Sequence, residues 1–313
     1  MFDPTTLLIR HCIEQLQRGY RCAFGSQKPE YADLLGQVAA HTLHAIAHTD
    51  ALYHDVEHTI LVALVGQEIL RGRQLLDGSV TPEKWLHFII ALLCHDIGYL
   101  KGICQQDDLV QQTYATGIAN ETVAIAPGAT DASLTPYHVD RSKQFVAEKL
   151  AHYRFLDVAA IQQMIELTRF PIPNDELHRD TFDYPGLARA ADLIGQLGDS
   201  RYLDKLPALF HEFEETGTTA ALGYQHPGDL RRGYPTFFRT VVYPLIQPAA
   251  YCLAATQEGK QILADLYNNV SVVEQELAGE KAPSRDLAVD CLTAQERYHF
   301  FLDESQPIEV GNR

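Results

Sequence analysis

The sequence is poor in basic residues. Its 313 residues contain 25 Lys and Arg against 41 Asp and Glu, which gives a formal net charge of −16 at pH 7. An acidic surface of this kind repels phosphate backbones and argues against non-specific nucleic-acid binding. A small phosphorylated ligand remains compatible with this charge if a metal or basic groups lie inside a cleft.

The sequence also lacks a CxxC pair, a signal peptide and a convincing membrane span. Its six cysteines are widely separated, so we interpret them as reduced thiols rather than as a zinc ribbon or a disulfide framework. The N-terminus has no basic flank followed by an apolar run. Residues 240–257 carry no charge but include Pro244 and Pro248. We therefore expect a cytoplasmic protein that has no membrane partner.

The hydrophobic pattern has the spacing of α-helices and shows no repeated alternation of the strand type. The segments with this helical pattern are 33–48, 54–71, 85–98, 156–168, 185–197, 202–215 and 249–277. A further helix is expected after Thr135, which is followed by proline. The predicted fold class is all-α: a single helical-bundle domain over residues 1–303, with a flexible tail at residues 304–313.

One stretch differs in composition from the rest of the chain. Between Gly102 and Asp140 there is no Lys or Arg, and Gln, Thr, Ala, Asp and Gly predominate. This composition is compatible with a lid over a site and equally with a solvated surface excursion.

Histidine is the residue type that clusters in one part of the sequence. Seven of the 14 histidines lie between His41 and His95. His54 and His58 are four residues apart, so on a helix they project from one face. They could bind one metal together, or one could bind it while the other acts on a substrate. His41, His44 and His48 also share a helix face, and a polar stripe explains them more simply than a second metal site.

Two carboxylates lie in strongly apolar segments. Asp96 follows His95 at the end of the most hydrophobic segment of the chain, and Asp192 lies in an alanine- and leucine-rich helix. A buried carboxylate has to be paired, hydrogen-bonded or bound to a metal. Imidazole and carboxylate ligands together suit Zn, Fe, Mn or Mg, so the pattern indicates a site for a divalent metal ion.

Three segments in this order resemble the motifs of HD-domain metal-dependent phosphohydrolases. LYHDVEHTILV is similar to the Tyr-His-Asn-x-x-His motif of class I cyclic-nucleotide phosphodiesterases, CHDIG to their HD motif, and AADLIGQL to the segment with the last metal-binding aspartate. The resemblance covers about residues 50–200. It implies an all-helical fold with a metal site in a central cleft.

The resemblance also implies roles for individual residues. The first metal would be held by four residues, one of which, Asp96, would bridge to a second ion; the four are His58, His95, Asp96 and Asp192. His54 would give a proton to the leaving oxygen, and His138 could reach the second metal. Lys101, Arg141 and Gln196 lie beside the motifs and are predicted to bind the substrate.

Two positions depart from the phosphodiesterase pattern. Asp55 stands where those enzymes have Asn, and Tyr99 replaces the histidine that follows their HD motif. A metal-dependent phosphohydrolase is therefore better supported than cyclic-nucleotide specificity.

The sequence predicts an enzyme that hydrolyses a small nucleotide phosphodiester with metal-activated hydroxide. The alternatives are a nucleotidase or other phosphomonoesterase, an HD-fold di-iron oxygenase, and a non-catalytic nucleotide sensor. The sequence leaves the oligomeric state open, including a homodimer.

Overall fold

The computed structural model describes residues 3–179 and 181–279. The predicted tail at 304–313 and the end of the predicted domain therefore lie outside the described residues. Within them the fold is all-α, as predicted, with one small two-stranded sheet.

The described residues form twelve α-helices. In chain order they are α1 (Pro4–Phe24), α2 (Pro29–Ile46), α3 (Val56–Asp77), α4 (Pro82–Cys94), α5 (His138–Leu150), α6 (Val158–Glu166), α7 (Tyr184–Leu197), α8 (Tyr202–Glu215), α9 (Thr218–Leu222), α10 (Pro227–Phe237), α11 (Tyr243–Leu253) and α12 (Gln257–Gly279). The π-helical segment Phe238–Val242 joins α10 to α11.

Short 3₁₀-helices and one hairpin fill the connection between α4 and α5. The 3₁₀-helices are Ile97–Tyr99 and Asp131–Leu134. Strands β1 (Thr113–Ala115) and β2 (Thr122–Ala124) pair antiparallel, with Tyr114 opposite Val123. The segment without basic residues is thus an ordered excursion with a hairpin of its own.

The apolar centre of the bundle is built around α4. Every residue from Phe88 to Cys94 is buried, and α3, α2, α6 and α7 all pack against this helix. The single tryptophan, Trp85, is fully buried near the start of α4, and its ring meets Phe24 of α1 edge-on at 5.6 Å. A helix that is apolar on all sides belongs in the interior, and this placement carries the end of α4 into the centre of the molecule.

Several predicted helix ends differ from the structure: α2 spans Pro29–Ile46 rather than 33–48, and α3 spans Val56–Asp77 rather than 54–71. The segment 85–98 was expected to stay helical to Gly98, but α4 ends at Cys94 and a 3₁₀ turn follows. A Cβ on Gly98 would lie 1.9 Å from the carbonyl oxygen of His138, so glycine allows the turn to touch α5 directly. Thr135 does not cap α5, whose N-cap residue is Tyr137.

Helix α3 begins where its sequence provides a cap. The Asp55 carboxylate accepts hydrogen bonds from the backbone N–H groups of Glu57 and His58. An aspartate at this position satisfies free donors of the first turn and favours the positive end of the helix dipole. The cap fixes the first turn of α3, on which His58 lies.

None of the helices in the described ranges combines the length and the apolar character that crossing a membrane requires. Five cysteines lie in these ranges, and all five are free thiols.

Candidate metal centre

Three elements bring four predicted metal ligands together in the interior. His58 lies in the first turn of α3, His95 and Asp96 directly follow α4, and Asp192 lies in the middle of α7. Helix α3 packs against both α4 and α7, so the three elements converge at this point. The motifs are far apart in sequence, and helix packing alone makes them neighbours.

The two imidazoles face the two carboxylates at short range. His58 Nε2 lies 3.2 Å from Asp96 Oδ2 and 3.4 Å from Asp192 Oδ1. His95 Nε2 lies 3.1 Å from Asp96 Oδ2 and 3.5 Å from Asp192 Oδ1. One ligand atom each from His58, His95 and Asp192 fit within 4.8 Å of one another. Such spacing leaves every pair close enough to share one cation.

Two buried polar atoms at the centre of this cluster have no hydrogen-bond partner among the described residues. They are His95 Nε2 and Asp96 Oδ2, which face each other without hydrogen-bond geometry. The opposite ring atom, His95 Nδ1, lies 2.7 Å from the Leu92 carbonyl oxygen, and this contact orients Nε2 toward the cluster. Metal-binding histidines are commonly oriented in this way. The donor set therefore fits a divalent metal.

The charges of the cluster shift the pKa of every member. Burial favours the neutral ring of His58, but Asp192 and Asp96 outweigh burial and raise the pKa of His58 to about 9. Burial opposes ionisation of Asp192, yet His95 and His58 lower the pKa of Asp192 to about 2. The two carboxylates thus stay ionised near neutral pH and attract a cation, which can be a proton on an imidazole or a metal.

His54 is held beside the cluster by a residue that the sequence analysis missed. Its Nδ1 lies 2.5 Å from Oε2 of Glu212, a buried carboxylate of α8. Glu212 Oε1 also accepts hydrogen bonds from the backbone N–H groups of Tyr53 and His54, at 2.6 and 3.2 Å. The structure places His54 beside the cluster with Glu212 as its partner. His54 does not share a helix face with His58, in contrast to the prediction, because α3 begins only at Val56 and Asp55 caps it. The only sequence signal for Glu212 is an acid between Phe210 and Phe213 in an amphipathic helix.

The His54–Glu212 contact favours a protonated imidazole. Burial lowers the pKa of His54, but the charge of Glu212 more than offsets it, and the pKa lies above the usual range of histidine. The side chain of His54 remains 16% exposed and that of Asp192 19%, whereas His58 and His95 are almost fully covered. His54 and Asp192 therefore lie where the cluster meets solvent.

Tyr99 separates His54 from His138. Its ring stacks on His54 at 4.5 Å and on His138 at 4.4 Å between centroids. His138 Nε2 lies 3.8 Å from Asp96 Oδ1, and its Nδ1 lies 2.6 Å from the Thr135 carbonyl oxygen. Burial lowers the pKa of His138, which leaves a neutral ring beside the second oxygen of Asp96. His138 thus lies next to Asp96 Oδ1, and its role as a ligand of a second ion stays a prediction.

Arg141 does not bind substrate, in contrast to the prediction. The residue is fully buried, and all five of its N–H groups are engaged. Nε donates to the Gly98 carbonyl; Nη1 and Nη2 donate to both Asp107 carboxylate oxygens and to the carbonyls of Ala115 and Leu100. A guanidinium has five donors, so none is left for a phosphate. Arg141 instead ties the hairpin segment (residues 102–140) to the 3₁₀ turn that follows Asp96.

The other two predicted substrate-binding residues have protein partners too. Lys101 Nζ donates to the Ala129 carbonyl at 2.5 Å and lies 3.9 Å from Asp131. Gln196 lies one turn after Asp192 on α7, where its side chain hydrogen-bonds Tyr202. The Lys101 ammonium thus binds residues between the hairpin and α5, whereas Gln196 shares a helix with Asp192 of the cluster. Their binding of a substrate stays a prediction.

His41, His44 and His48 form no metal-sized group within the described ranges. The ring of His41 stacks on Phe145, and His44 Nδ1 lies 2.7 Å from the Ala40 carbonyl oxygen of its own helix. The stripe is part of the surface and packing of α2.

A protein-family model, Npun_R2479-like, matches residues 2–276. The chain belongs to the Npun_R2479-like family. The match includes every residue of the metal centre and almost all of the described helices. A search of the curated proteins finds no match. The family description names no activity, so the chemistry has to be argued from the site.

Proposed function

We propose that this protein is an HD-type, metal-dependent phosphohydrolase that cleaves a phosphodiester of a small nucleotide. The observation that carries the proposal is the buried cluster of His58, His95, Asp96 and Asp192, with two unpartnered polar atoms at its centre. The order of the motifs supports the HD assignment, and the nucleotide substrate rests on the resemblance to phosphodiesterases. We also propose a cytoplasmic location, which the free thiols support.

The four cluster residues would hold one divalent ion, and Asp96 and His138 would be ligands of a second ion. A metal in this position lowers the pKa of bound water and offsets the charge of a phosphate group. This role matters here, because Arg141 is engaged elsewhere and Lys101 hydrogen-bonds the hairpin segment. The substrate's charge would therefore be met chiefly by the metal.

His54 would act as the general acid. Glu212 holds its Nδ1, so the proton for the leaving oxygen comes from Nε2. The charge of Glu212 outweighs burial and raises the pKa of His54, which favours the protonated ring, and Tyr99 stacks on the imidazole and helps to orient it. A purely binding role would not require an oriented, protonated imidazole next to a metal-binding cluster.

The test is elemental analysis of the purified protein, followed by hydrolysis assays with added Mg, Mn, Zn or Fe. We expect a divalent metal at one or two per chain, and faster cleavage of a nucleotide phosphodiester than of the corresponding monoester. Release of phosphate from monoesters alone would identify a nucleotidase. Oxygen uptake with iron and no hydrolysis would identify an oxygenase, and absence of any turnover would favour a sensor.

A pair of variants makes this test specific to the cluster. Asp96→Ala should lose the metal and the activity together. Asp33→Ala removes an acid that is exposed on α2 and whose one ion pair within residues 3–179 and 181–279 is with Arg21, so it should keep both. Full metal occupancy in Asp96→Ala would overturn the assignment.

A further inference from the structure

Helix α11 contains no charged residue, although one side of it lies at the surface. Its other side packs against α3 and α7 and buries Ile246, Ala249 and Leu253. A surface helix normally carries charged residues on the side that faces solvent, and a helix without them is normally covered all round. The exposed side of α11 therefore has the composition of a covered surface.

Two tyrosines dominate this exposed side. Tyr243 and Tyr251 lie two turns apart and are 45% and 69% exposed, and the exposed Gln247 lies between them. Tyr267 of α12 is also exposed and adjoins Tyr243, because both rings meet the ring of Phe238, at 6.0 and 6.3 Å between centroids. We call Tyr243, Gln247, Tyr251 and Tyr267 the tyrosine stripe. Tyrosine without neighbouring charge is typical of the centre of a protein–protein interface.

An exposed ion pair lies at each end of the tyrosine stripe. Arg239, one turn before the stripe, pairs with Glu274 of α12 at 2.5 Å. Glu258, just after the end of α11, pairs with Arg71 of α3 at 3.2 Å. Each end thus presents one positive and one negative charge. An uncharged centre with a polar rim is the usual arrangement of a protein interface.

The charge of the molecule indicates which partner this surface fits. A net charge of −16 makes two copies of the chain repel each other. In a twofold symmetric contact each patch faces its own copy, so a charged residue near the axis would meet a like charge. The tyrosine stripe avoids this repulsion because it has no charge. If the two α11 helices run antiparallel, Arg239 of each copy comes toward Glu258 of the other, and opposite charges meet at both ends.

We propose that the tyrosine stripe is a self-complementary interface through which two copies of this chain form a homodimer. The two α11 helices pack antiparallel, and Gln247 lies close to the twofold axis because it is the middle of the stripe. The metal-centre residues lie on other elements, so the interface is independent of the reaction proposed for that centre.

Sedimentation velocity of the full chain in about 0.15 M NaCl tests the proposal. We expect a particle of twice the mass of the chain. Gln247→Glu places two like charges at the axis and should weaken association at least about tenfold. Gln111→Glu is the matched control, because it makes the same change at an exposed glutamine of the hairpin segment, and it should associate like the parent.

A mixing experiment tests the symmetry of the contact. Gln247→Lys should weaken association as Gln247→Glu does, since two ammonium groups then meet at the axis. An equal mixture of the two variants should associate more strongly than either variant alone, because opposite charges face each other in the mixed dimer. A general defect of folding would not be repaired by mixing.

Tyr251→Ala tests the aromatic contact without adding charge and should weaken association about tenfold or more. The unfolding temperature at low protein concentration is measured for every variant and should stay near the parent value. The proposal is overturned if the parent is a monomer at all concentrations, which would leave the stripe to another occupant. It is also overturned if Gln247→Glu and Tyr251→Ala both dimerise like the parent, or if mixing restores nothing.

Discussion

Neighbouring histidines of this protein differ in what holds them. His58 Nε2 faces the carboxylates of Asp96 and Asp192, whereas His54 Nδ1 faces Glu212 alone. Two histidines four residues apart thus have different partners, which fits the proposed roles of His58 as a metal ligand and His54 as a proton donor.

This difference can be measured by removing each imidazole in turn. His54→Ala should keep the metal and lose about 10²–10⁴-fold in turnover, the usual contribution of a general acid. His58→Ala should lose metal and activity together. Elemental analysis and steady-state rates for the two variants check this. The turnover of a nitrophenyl ester should fall much less in His54→Ala, because its leaving group departs without a proton. If turnover of nitrophenyl and alkyl esters falls equally, His54 is not the general acid.

The carboxylate of Glu212 sets the pH range over which His54 is protonated. In Glu212→Gln the charge that raises the pKa of His54 is gone, while burial still lowers it. The acid form would then be lost at a lower pH as the pH rises. We expect the alkaline limb of the pH–rate profile to move to lower pH, with metal content unchanged. An unmoved limb would show that another group sets it.

The site residues that carry a sequence motif could be predicted, and those without one could not. His58, His95, Asp96 and Asp192 each stand out as polar groups in apolar segments, and the structure brings them together. Glu212 is distant in sequence and reaches His54 only because α8 returns to the start of α3. Arg141 looks like a free cation in sequence, since nothing there shows that carbonyls of two other segments, at Gly98 and Leu100 and at Ala115, converge on it.

At the level of elements, the buried Arg141–Asp107 pair connects the hairpin segment to α5. Both side chains are fully covered, and the guanidinium also holds the backbone carbonyls of Gly98 and Leu100, in and directly after the 3₁₀ turn that follows Asp96. The segment without basic residues is therefore anchored in its first part, at Asp107 and Ala115, by the first basic residue after it. This anchoring does not favour a freely moving lid.

Removing the guanidinium should be costly. Arg141→Met leaves Asp107 buried without its partner, and we expect a loss of about 3–5 kcal/mol in the free energy of unfolding. Arg239→Met breaks an exposed pair with Glu274 and should cost about 0–1 kcal/mol. Urea unfolding of both variants gives the comparison. Equal losses would mean that the buried Arg141–Asp107 pair contributes no more to the free energy of unfolding than a surface ion pair does.

Helix prediction succeeded where apolar spacing was regular and failed where tertiary contacts decided. The pattern predicted 202–215, and α8 has these bounds. The segment 249–277 is divided between α11 and α12, which meet near Thr256, and its hydrophobic spacing did not show this break. The hairpin of β1 and β2 was also missed, because each strand has only three residues and too little alternation to detect.

At the level of the whole molecule, the buried His–Asp cluster links the stability of the fold to pH. Without metal, the protonated His58 stabilises the carboxylates, because its pKa is about 9 in the folded chain against 6.5 as the ordinary value. This contribution is complete below pH 6.5 and is lost as the pH rises toward 9. A metal ion binds the neutral ring of His58, so the affinity for metal should rise over the same pH interval.

Thermal unfolding with and without a chelator should show this exchange. We expect the metal-free protein to lose stability between about pH 6.5 and 9, and the increase in unfolding temperature on adding Mn or Zn to grow with pH. Scans at three pH values within this window provide the measurement. His58→Ala should show no such growth, and a metal effect that shrinks with rising pH would contradict the linkage.

Trp85 gives the protein a built-in optical probe. It is the only tryptophan in the sequence, and its indole is sealed between α4 and α1 beside Phe24. The native protein should fluoresce at the short-wavelength end of the tryptophan range, and the emission should move to longer wavelength when water reaches the ring. The signal reports loss of the helical core as a whole, so every unfolding experiment above can be followed without a label.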